Sequence, residues 1–275
     1  MWGTMTRPLR HYDRIRVDRD AGRERITLAN PKRRNALGPQ MTNELLYALE
    51  DALADDDVRV IVITGEGKVF CAGGDFAQMN TLAGESVRPP PVGGALPIKG
   101  DYADLLMALL RSEKPVVARV NGHALGSGVG LVAACTFSVA LMDAQFGTPE
   151  INAGLFPMMV MALLARVVPR RRLMEMMILG EKMDASEAAR IGLVGQTVEP
   201  GELDETVRSI ESQILHKSPL AVRLGLRAFA AQEDKDLEEA MPMLRRRFAE
   251  CLNTDDAREG LMAFLEKRAP TWSGK

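Results

Sequence analysis

The sequence is poor in cysteine, and this shortage excludes several kinds of protein at the outset. Only Cys71, Cys135 and Cys251 occur among 275 residues, with no Cys-x-x-Cys pair and no metal-ligand spacing. An odd, scattered set of this kind is typical of a reducing compartment. We therefore predict neither a disulfide framework nor a metal site.

Long apolar runs are also missing. No stretch reaches the roughly eighteen apolar residues that a membrane-spanning helix needs. The N-terminal segment MWGTMTRPLRHYDRIRV lacks the apolar stretch of a signal peptide. These observations predict a cytoplasmic protein that does not bind membranes.

The chain has little excess charge of either sign. Its 35 basic and 37 acidic residues give a formal net charge of -2, and they are spread along the sequence. A protein that binds nucleic acid uses a broad basic surface to displace counterions. We therefore do not expect nucleic acid as a partner.

What is present favours an α/β fold with a sizeable core, since 46% of the residues are hydrophobic. The segments RIRV and RITLA flank a turn and predict a hairpin, and PQMTNELLYALEDALADD has the spacing of a helix. Further on, VRVIVITG, PVVARV and FSVALM resemble buried strands separated by loops and helices. This alternation predicts parallel strand pairing. The proline-rich segment 83–100 is expected to be a mobile loop.

The character of the sequence changes past residue 180, where four segments in succession have an apolar stripe at helical spacing. Long amphipathic helices at a chain end often pack against a partner, although packing on their own core fits the pattern equally well. We accordingly expect a core of residues 1–195 and a helical oligomerisation region of residues 196–275.

Two glycine loops, VFCAGGDF and HALGSGVG, each lie between a predicted strand and a predicted helix. HALGSGVG does not match the serine-hydrolase pattern G-x-S-x-G, because Leu125 stands two positions before Ser127. Gly128, Gly130 and Ala133 match a dinucleotide fingerprint only weakly. Close packing alone is a further alternative. As a pair, however, the loops can present two free backbone amides to one substrate carbonyl and stabilise its enolate.

Several segments together resemble the crotonase family, also called the enoyl-CoA hydratase/isomerase superfamily. They are PKRRNAL, ITGEGKVFCAGGDF, KPVVARVNGHALGSGVGLVAACTFSVA, AQFGTPEINAGLFP, LGEKMDASEAARIGLV and AREGLMAFLEKRAP. The resemblance covers nearly the whole chain. It implies a spiral of strand-helix (ββα) repeats with a C-terminal helical trimerisation region, a homotrimer or dimer of trimers, and a coenzyme A thioester as substrate with no tightly bound cofactor.

The resemblance also implies roles for particular residues. By position, the oxyanion-hole amides fall on Ala72 and Ser127, where many relatives have glycine at the second position, and the acid/base falls on Glu150. The residues implied to contact the coenzyme A thioester are Arg33, Arg34, Ala36, Ala72, Gly73, Gly74, Asp75, Ser127, Phe264 and Lys267, the last two reaching a neighbouring subunit's coenzyme.

The acid/base pattern departs from that of the family's hydratases, which typically carry two glutamates. Here Glu150 matches the second, whereas Gly130 occupies the position of the first. Moving one proton along an enolate needs one base, so the count favours double-bond isomerisation. A single-glutamate hydratase and a catalytically weak acyl-CoA binder remain alternatives. Asp143 and Glu113 are reserve acids.

Two further residues of reactive type are interpreted as structural. His123 follows an asparagine-glycine turn beside the second loop. Cys71 has no neighbouring histidine or lysine in the sequence that would lower the pKa of its thiol.

Overall fold

The structure is a computed structural model that describes residues 10–75 and 96–275. Ten strands lie in these ranges and form two sheets. The strands are β1 Ile15–Asp20, β2 Arg23–Leu28, β3 Val60–Gly65, β4 Val69–Cys71, β5 Val116–Val120, β6 His123–Leu125, β7 Phe137–Leu141, β8 Gln145–Gly147, β9 Lys182–Asp184 and β10 Gln196–Val198.

Ten α-helices accompany the strands in the described ranges. They are α1 Pro39–Ala54, α2 Tyr102–Leu110, α3 Ser127–Ala134, α4 Met158–Val167, α5 Arg170–Met174, α6 Ala185–Arg190, α7 Leu203–Leu215, α8 Pro219–Gln232, α9 Leu237–Leu252 and α10 Asp255–Leu265. Short 3-10 turns cover Pro31–Arg33 and Pro149–Ala153, and a π-helical turn covers Glu175–Leu179. None of the described helices is long and apolar enough to cross a membrane.

The predicted N-terminal hairpin is confirmed. Strands β1 and β2 pair antiparallel, with Asp20 opposite Arg23 across a two-residue turn. Ala21 and Gly22 in that turn both have positive φ, at 44° and 84°. Two consecutive residues of this kind make the hairpin turn whose twist suits the flanking strands.

The chain winds as a spiral, because strands from β3 to β8 alternate between the two sheets. The large sheet has the order β1-β2-β3-β5-β7-β10 and is parallel from β2 onward, as predicted. The small sheet has the order β4-β6-β8-β9, with β9 antiparallel to β8. The fold is therefore the spiral α/β architecture expected from the resemblance.

The short strands of the small sheet correct the sequence interpretation. The segments VFCAGGDF and HALGSGVG were interpreted as glycine loops, yet Val69–Cys71 forms β4 and His123–Leu125 forms β6. The turns into the small sheet are tight, since a Cβ on Gly65 would lie 2.4 Å from the Phe70 carbonyl oxygen. A Cβ on Gly122 would lie 2.1 Å from the Lys68 carbonyl oxygen. Three-residue strands bounded by such turns carry too little periodicity to be recognised.

The large sheet is buried on both faces, which explains its continuous β-branched strands. Alternate residues of β3 point to opposite faces. Ile61 and Ile63 face the main core, whereas Val60 and Val62 pack with Leu203, Val207 and Ile214 on α7. The helices predicted in the C-terminal third are confirmed, and α8 to α10 leave many large apolar side chains exposed.

Candidate active site

The second glycine loop, HALGSGVG, comprises strand β6, Gly126 and the first four residues of α3, and the first backbone amides of that helix have no intrahelical acceptors. Gly126 caps this helix with φ 53° and ψ -120°, a conformation that favours glycine. Its own amide donates to the Gly147 carbonyl at 2.8 Å. The Ser127 amide, first in the helix, donates to no acceptor in the described part of the chain. It remains available to a ligand.

The first glycine loop runs beside Leu37 like a short parallel strand. The Leu37 amide donates to the Gly73 carbonyl at 2.8 Å, and the Asp75 amide donates to the Leu37 carbonyl at 2.9 Å. In this pattern the amide of the residue between them, Gly74, points to the opposite side. No residue within 10–75 or 96–275 accepts a hydrogen bond from the Gly74 amide.

This geometry corrects the donor implied at Ala72. The Ala72 amide donates to the Arg34 carbonyl at 3.0 Å, so it is already engaged within the protein. A backbone amide has one hydrogen and makes one good hydrogen bond. The free donor of this loop is therefore at Gly74, two residues further along.

The two loops are in direct contact. A Cβ built on Gly73 would lie 3.2 Å from the Leu125 carbonyl oxygen and 3.7 Å from the Gly126 Cα. Only residues without bulky side chains permit this approach. It brings the free amides of Gly74 and Ser127 onto adjoining segments.

Glu150 reaches the point where the loops meet. It lies in the 3-10 turn Pro149–Ala153, directly after β8. A Cβ built on Gly126 would lie 2.5 Å from the Glu150 Oε1 atom and 3.3 Å from the Gly73 Cα. The carboxyl group thus occupies the space beside Gly126 that a side chain would fill.

The Glu150 carboxyl group has few hydrogen bonds to offset the loss of water around it. Its Oε2 atom is buried and has no hydrogen-bond partner. Burial raises the pKa of Glu150 above the ordinary glutamate value, and a backbone hydrogen bond opposes this shift. A carboxyl group with one unpartnered, buried oxygen and a raised pKa is typical of an acid/base residue.

Position 130, where hydratases of the family carry their first glutamate, is next to Tyr102. A Cβ built on Gly130 would lie 2.1 Å from the Tyr102 hydroxyl oxygen. That hydroxyl donates to the Ser127 carbonyl at 2.7 Å. No local sequence pattern points to Tyr102, because it stands 25 residues before Ser127 on a different helix.

The basic segment before the first helix lies against the first glycine loop. Lys32, Arg33 and Arg34 are exposed, and an Arg33 guanidinium nitrogen lies 3.7 Å from a carboxylate oxygen of Asp75. The following residue, Asn35, is buried and donates to the carbonyls of Glu66 and Val69.

Asn35 and its neighbours fix the backbone that supports this loop. The Asn35 side-chain oxygen accepts a hydrogen bond from the Asn30 amide. Ala36 follows, and its amide donates to the Arg33 carbonyl at 3.0 Å. Asn35 was not singled out from the sequence, although asparagine tolerates its positive φ of 55° better than most residues.

Other predicted residues lie elsewhere. Phe264 and Lys267 are at the end of α10, with 82% of Phe264 exposed, and no described hydrogen bond joins either residue to the glycine loops. Of the reserve acids, Glu113 pairs with Arg227 at 2.7 Å, and Asp143 is exposed between β7 and β8.

The structural interpretation of His123 and Cys71 agrees with their surroundings. The His123 Nδ1 atom accepts a hydrogen bond from the Gln145 amide. Burial raises the pKa of the Cys71 thiol to about 12, which keeps it protonated near neutral pH. Among the described residues, no group of three or more His, Cys, Asp or Glu side chains is arranged to hold a metal ion.

The spiral α/β fold is that of the crotonase-like enzymes. The family model for enoyl-CoA hydratase/isomerase matches residues 18–275. The chain belongs to the enoyl-CoA hydratase/isomerase family and is an enzyme of that family.

Individual relatives agree with this assignment. The chain is 34% identical over 248 residues to the short-chain-enoyl-CoA hydratase of Clostridium acetobutylicum, covering 88% of this chain and 91% of that protein. It is 34% identical over 252 residues to enoyl-CoA hydratase domain-containing protein 3, mitochondrial, of Rattus norvegicus, covering 92% and 82%. A crystal structure of enoyl-CoA hydratase from Mycobacterium smegmatis superposes with a TM-score of 0.86 at 35% identity, covering 94% and 99%.

The rat relative bears on location as well. Its name places that protein in the mitochondrion. The cytoplasmic location expected for this chain therefore stays a prediction.

Proposed function

We propose that this enzyme removes an α proton from an acyl-CoA thioester with Glu150 and stabilises the resulting enolate with the amides of Gly74 and Ser127. The observation that carries this proposal is the Glu150 carboxyl group beside Gly126, where the two glycine loops meet, with a buried Oε2 atom that has no hydrogen-bond partner. The family to which the chain belongs supports a coenzyme A thioester as the substrate.

One carboxyl group is sufficient for the proposed isomerisation, because it both removes and returns the proton. Glu150 takes the α proton of a 3-enoyl thioester, and the electrons of that C–H bond form the enolate. The thioester oxygen then carries negative charge that two amides stabilise, by about 3 kcal/mol per donor in comparable sites. The same carboxyl group returns the proton to the γ carbon, which yields the 2-enoyl thioester.

Hydration is the second candidate, because the bacterial relatives are named as hydratases. In that reaction Glu150 activates a water for attack at the β carbon and delivers a proton to the α carbon. Gly130 supplies no second carboxylate for this work, and neither Glu113 nor Asp143 hydrogen-bonds the loops within the described ranges. These observations favour isomerisation.

The coenzyme is proposed to lie along the exposed basic segment. Arg33 and Arg34 offer cations to its phosphates, and the backbone at Ala36 lies next to the first glycine loop. Gly73, Gly74 and Asp75 line the thioester side. Phe264 and Lys267 are proposed to reach the coenzyme of a neighbouring subunit.

We also propose that residues 196–275 form the oligomerisation region of a homotrimer or dimer of trimers, with residues 1–195 as the catalytic core. Large apolar side chains are exposed on α9 and α10, with exposed fractions of 64% at Phe248 and 73% at Leu265. Exposed patches of this kind mark interfaces. Sedimentation of Leu265→Glu tests this, and an unchanged assembly state in the variant and in Phe248→Glu would contradict the proposal.

Proton NMR in deuterated water, with 3-enoyl and trans-2-enoyl thioesters of coenzyme A, tests the chemistry. We expect migration of the double bond with deuterium at the α or γ carbon, and loss of this activity in Glu150→Gln. Glu113→Gln is the matched control, since Glu113 pairs with Arg227 outside the loops. A 3-hydroxyacyl product would favour hydration, whereas full activity in Glu150→Gln would remove Glu150 from the mechanism.

A further inference from the structure

Tyr102 fills the space in which a side chain at position 130 would stand. A Cβ on Gly130 would lie 2.1 Å from the Tyr102 hydroxyl oxygen, 3.3 Å from the Tyr102 Cζ and 3.2 Å from a Val160 methyl group. Separations below 3.0 Å do not occur between such atoms unless one of them moves. While Tyr102 keeps its place, glycine is the residue that fits at position 130.

The place of Tyr102 is fixed by the start of α2. Asp101 caps this helix, and its carboxylate accepts hydrogen bonds from the amides of Ala103 and Asp104. The Asp104 carboxylate accepts one from the Asp101 amide in return, which completes a capping box. Since Leu105, Leu106 and Leu109 of α2 are buried, Tyr102 extends from a helix that is packed against the core.

The hydroxyl group of Tyr102 acts on the second glycine loop. It donates to the Ser127 carbonyl at 2.7 Å, while the Gly126 amide is held by the Gly147 carbonyl at 2.8 Å. The Ser127 amide lies between these two anchors, directly after a glycine with positive φ. The hydrogen bond from Tyr102 therefore adds to the restraint that helix α3 places on Ser127, next to a glycine whose backbone is otherwise permissive.

Electrostatics keeps Tyr102 in its donating form. Burial, with smaller contributions from Cys71 and Glu150, raises the pKa of the Tyr102 phenol well above its ordinary value. The phenol is therefore protonated at neutral pH and retains the hydrogen for Ser127.

We infer that Tyr102 is a positioning residue of the oxyanion hole, which aims the Ser127 amide at the substrate and takes the space that a second acid at position 130 would need. This inference rests on the proposed function of the same site. It explains how a one-carboxylate site is built, because a single phenol both orients a donor and excludes a glutamate.

Tyr102→Phe tests the positioning role, since it keeps the ring and removes the hydroxyl group. We expect kcat to fall about tenfold with KM unchanged, as for an interaction that matters mainly in the transition state. Tyr12→Phe is the matched control, because the Tyr12 hydroxyl bonds Asp51 away from the loops. Infrared spectroscopy of a bound butanoyl-CoA with a 13C-labelled carbonyl gives an independent readout, with a smaller lowering of the stretch frequency in Tyr102→Phe than in the unaltered enzyme.

The outcomes of these measurements are distinguishable. If the unaltered enzyme binds the thioester without lowering its carbonyl frequency, the oxyanion hole itself fails, and with it the proposed function. If the lowering and kcat are the same in Tyr102→Phe as in the unaltered enzyme, the hole stands and the positioning role of Tyr102 is wrong.

A stability cycle tests the steric part without any need for turnover. We expect Gly130→Ala to lower the melting temperature, because the new methyl group displaces the Tyr102 hydroxyl. In a Tyr102→Ala background the same change is expected to be neutral or stabilising, since alanine is the better helix former. If Gly130→Ala lowered the melting temperature equally in both backgrounds, Tyr102 would not be the residue that excludes a side chain at position 130.

Discussion

The two glycine loops present their free amides by different means. The first runs beside Leu37 as an extended segment, in which alternate backbone groups face the neighbour and the Gly74 amide faces away. The second enters α3, whose first amides lack intrahelical acceptors, so Ser127 keeps a free donor. An extended loop thus selects one amide through its register, whereas a helix start offers a short run of them.

Exchange of single amides of the first loop for esters distinguishes Gly74 from Ala72 as the donor. With glycolic acid in place of Gly74, we expect kcat to fall about 10²- to 10³-fold at unchanged stability, because one oxyanion donor is lost. With lactic acid in place of Ala72, we expect near-normal kcat and about 1 kcal/mol lower stability, since the hydrogen bond to Arg34 is lost. Steady-state kinetics and urea unfolding measure both. If the ester at Ala72 lowered kcat and the ester at Gly74 did not, Ala72 would be the oxyanion donor.

In the second loop the free amide can be removed by proline. Ser127 is the first residue of α3, a position where proline is well tolerated because its missing amide had no intrahelical partner. We expect Ser127→Pro to lower kcat about 100-fold while circular dichroism shows the fold intact. Ser127→Gly keeps the amide and is expected to retain far more activity. Equal kinetics in these two variants would exclude the Ser127 amide as a donor.

A methyl group where the loops meet should affect both of them. Gly126→Ala places a Cβ 2.5 Å from the Glu150 Oε1 atom and requires a positive φ of an alanine. We expect a loss of about 1–3 kcal/mol in the free energy of unfolding, together with reduced turnover. Gly201→Ala is the control, because nothing lies within 4 Å of its added Cβ. If Gly126→Ala and Gly201→Ala were equally stable in urea, the space between Gly126 and the Glu150 carboxyl group would accommodate a methyl group, which would contradict this prediction.

The smallest expected effect is a gain in stability. Burial raises the folded-state pKa of Glu150, so its charged form opposes folding at pH values above the ordinary glutamate pKa. Glu150→Gln is therefore expected to be more stable than the unaltered enzyme at pH 7. The gain disappears as the pH falls through the glutamate range, where Glu150 is protonated in both states. Thermal unfolding across this pH range checks it, and a pH-independent difference would contradict a charge effect.

The same comparison shows how far the sequence alone can lead. The hairpin, the large parallel sheet and the C-terminal helices follow from local patterns, and the structure confirms them. The donor of the first loop was misplaced at Ala72, because strand register depends on the partner Leu37, which stands 35 or more residues earlier in the chain. Tyr102 was missed since only tertiary packing brings it to Gly130. Segment 83–100 lies mostly outside the described residues, and the helix predicted after the loop VFCAGGDF lies outside them.

Exchange of the α hydrogens of butanoyl-CoA with deuterated water, followed by proton NMR, measures whether Glu150 removes an α proton from a bound thioester. This saturated thioester has no double bond to hydrate or move, so exchange reports enolate formation alone. We predict exchange by the unaltered enzyme and a fall of about 10²- to 10⁴-fold in Glu150→Gln, with calorimetry showing that the variant still binds the thioester. Exchange at an undiminished rate in Glu150→Gln would contradict the account.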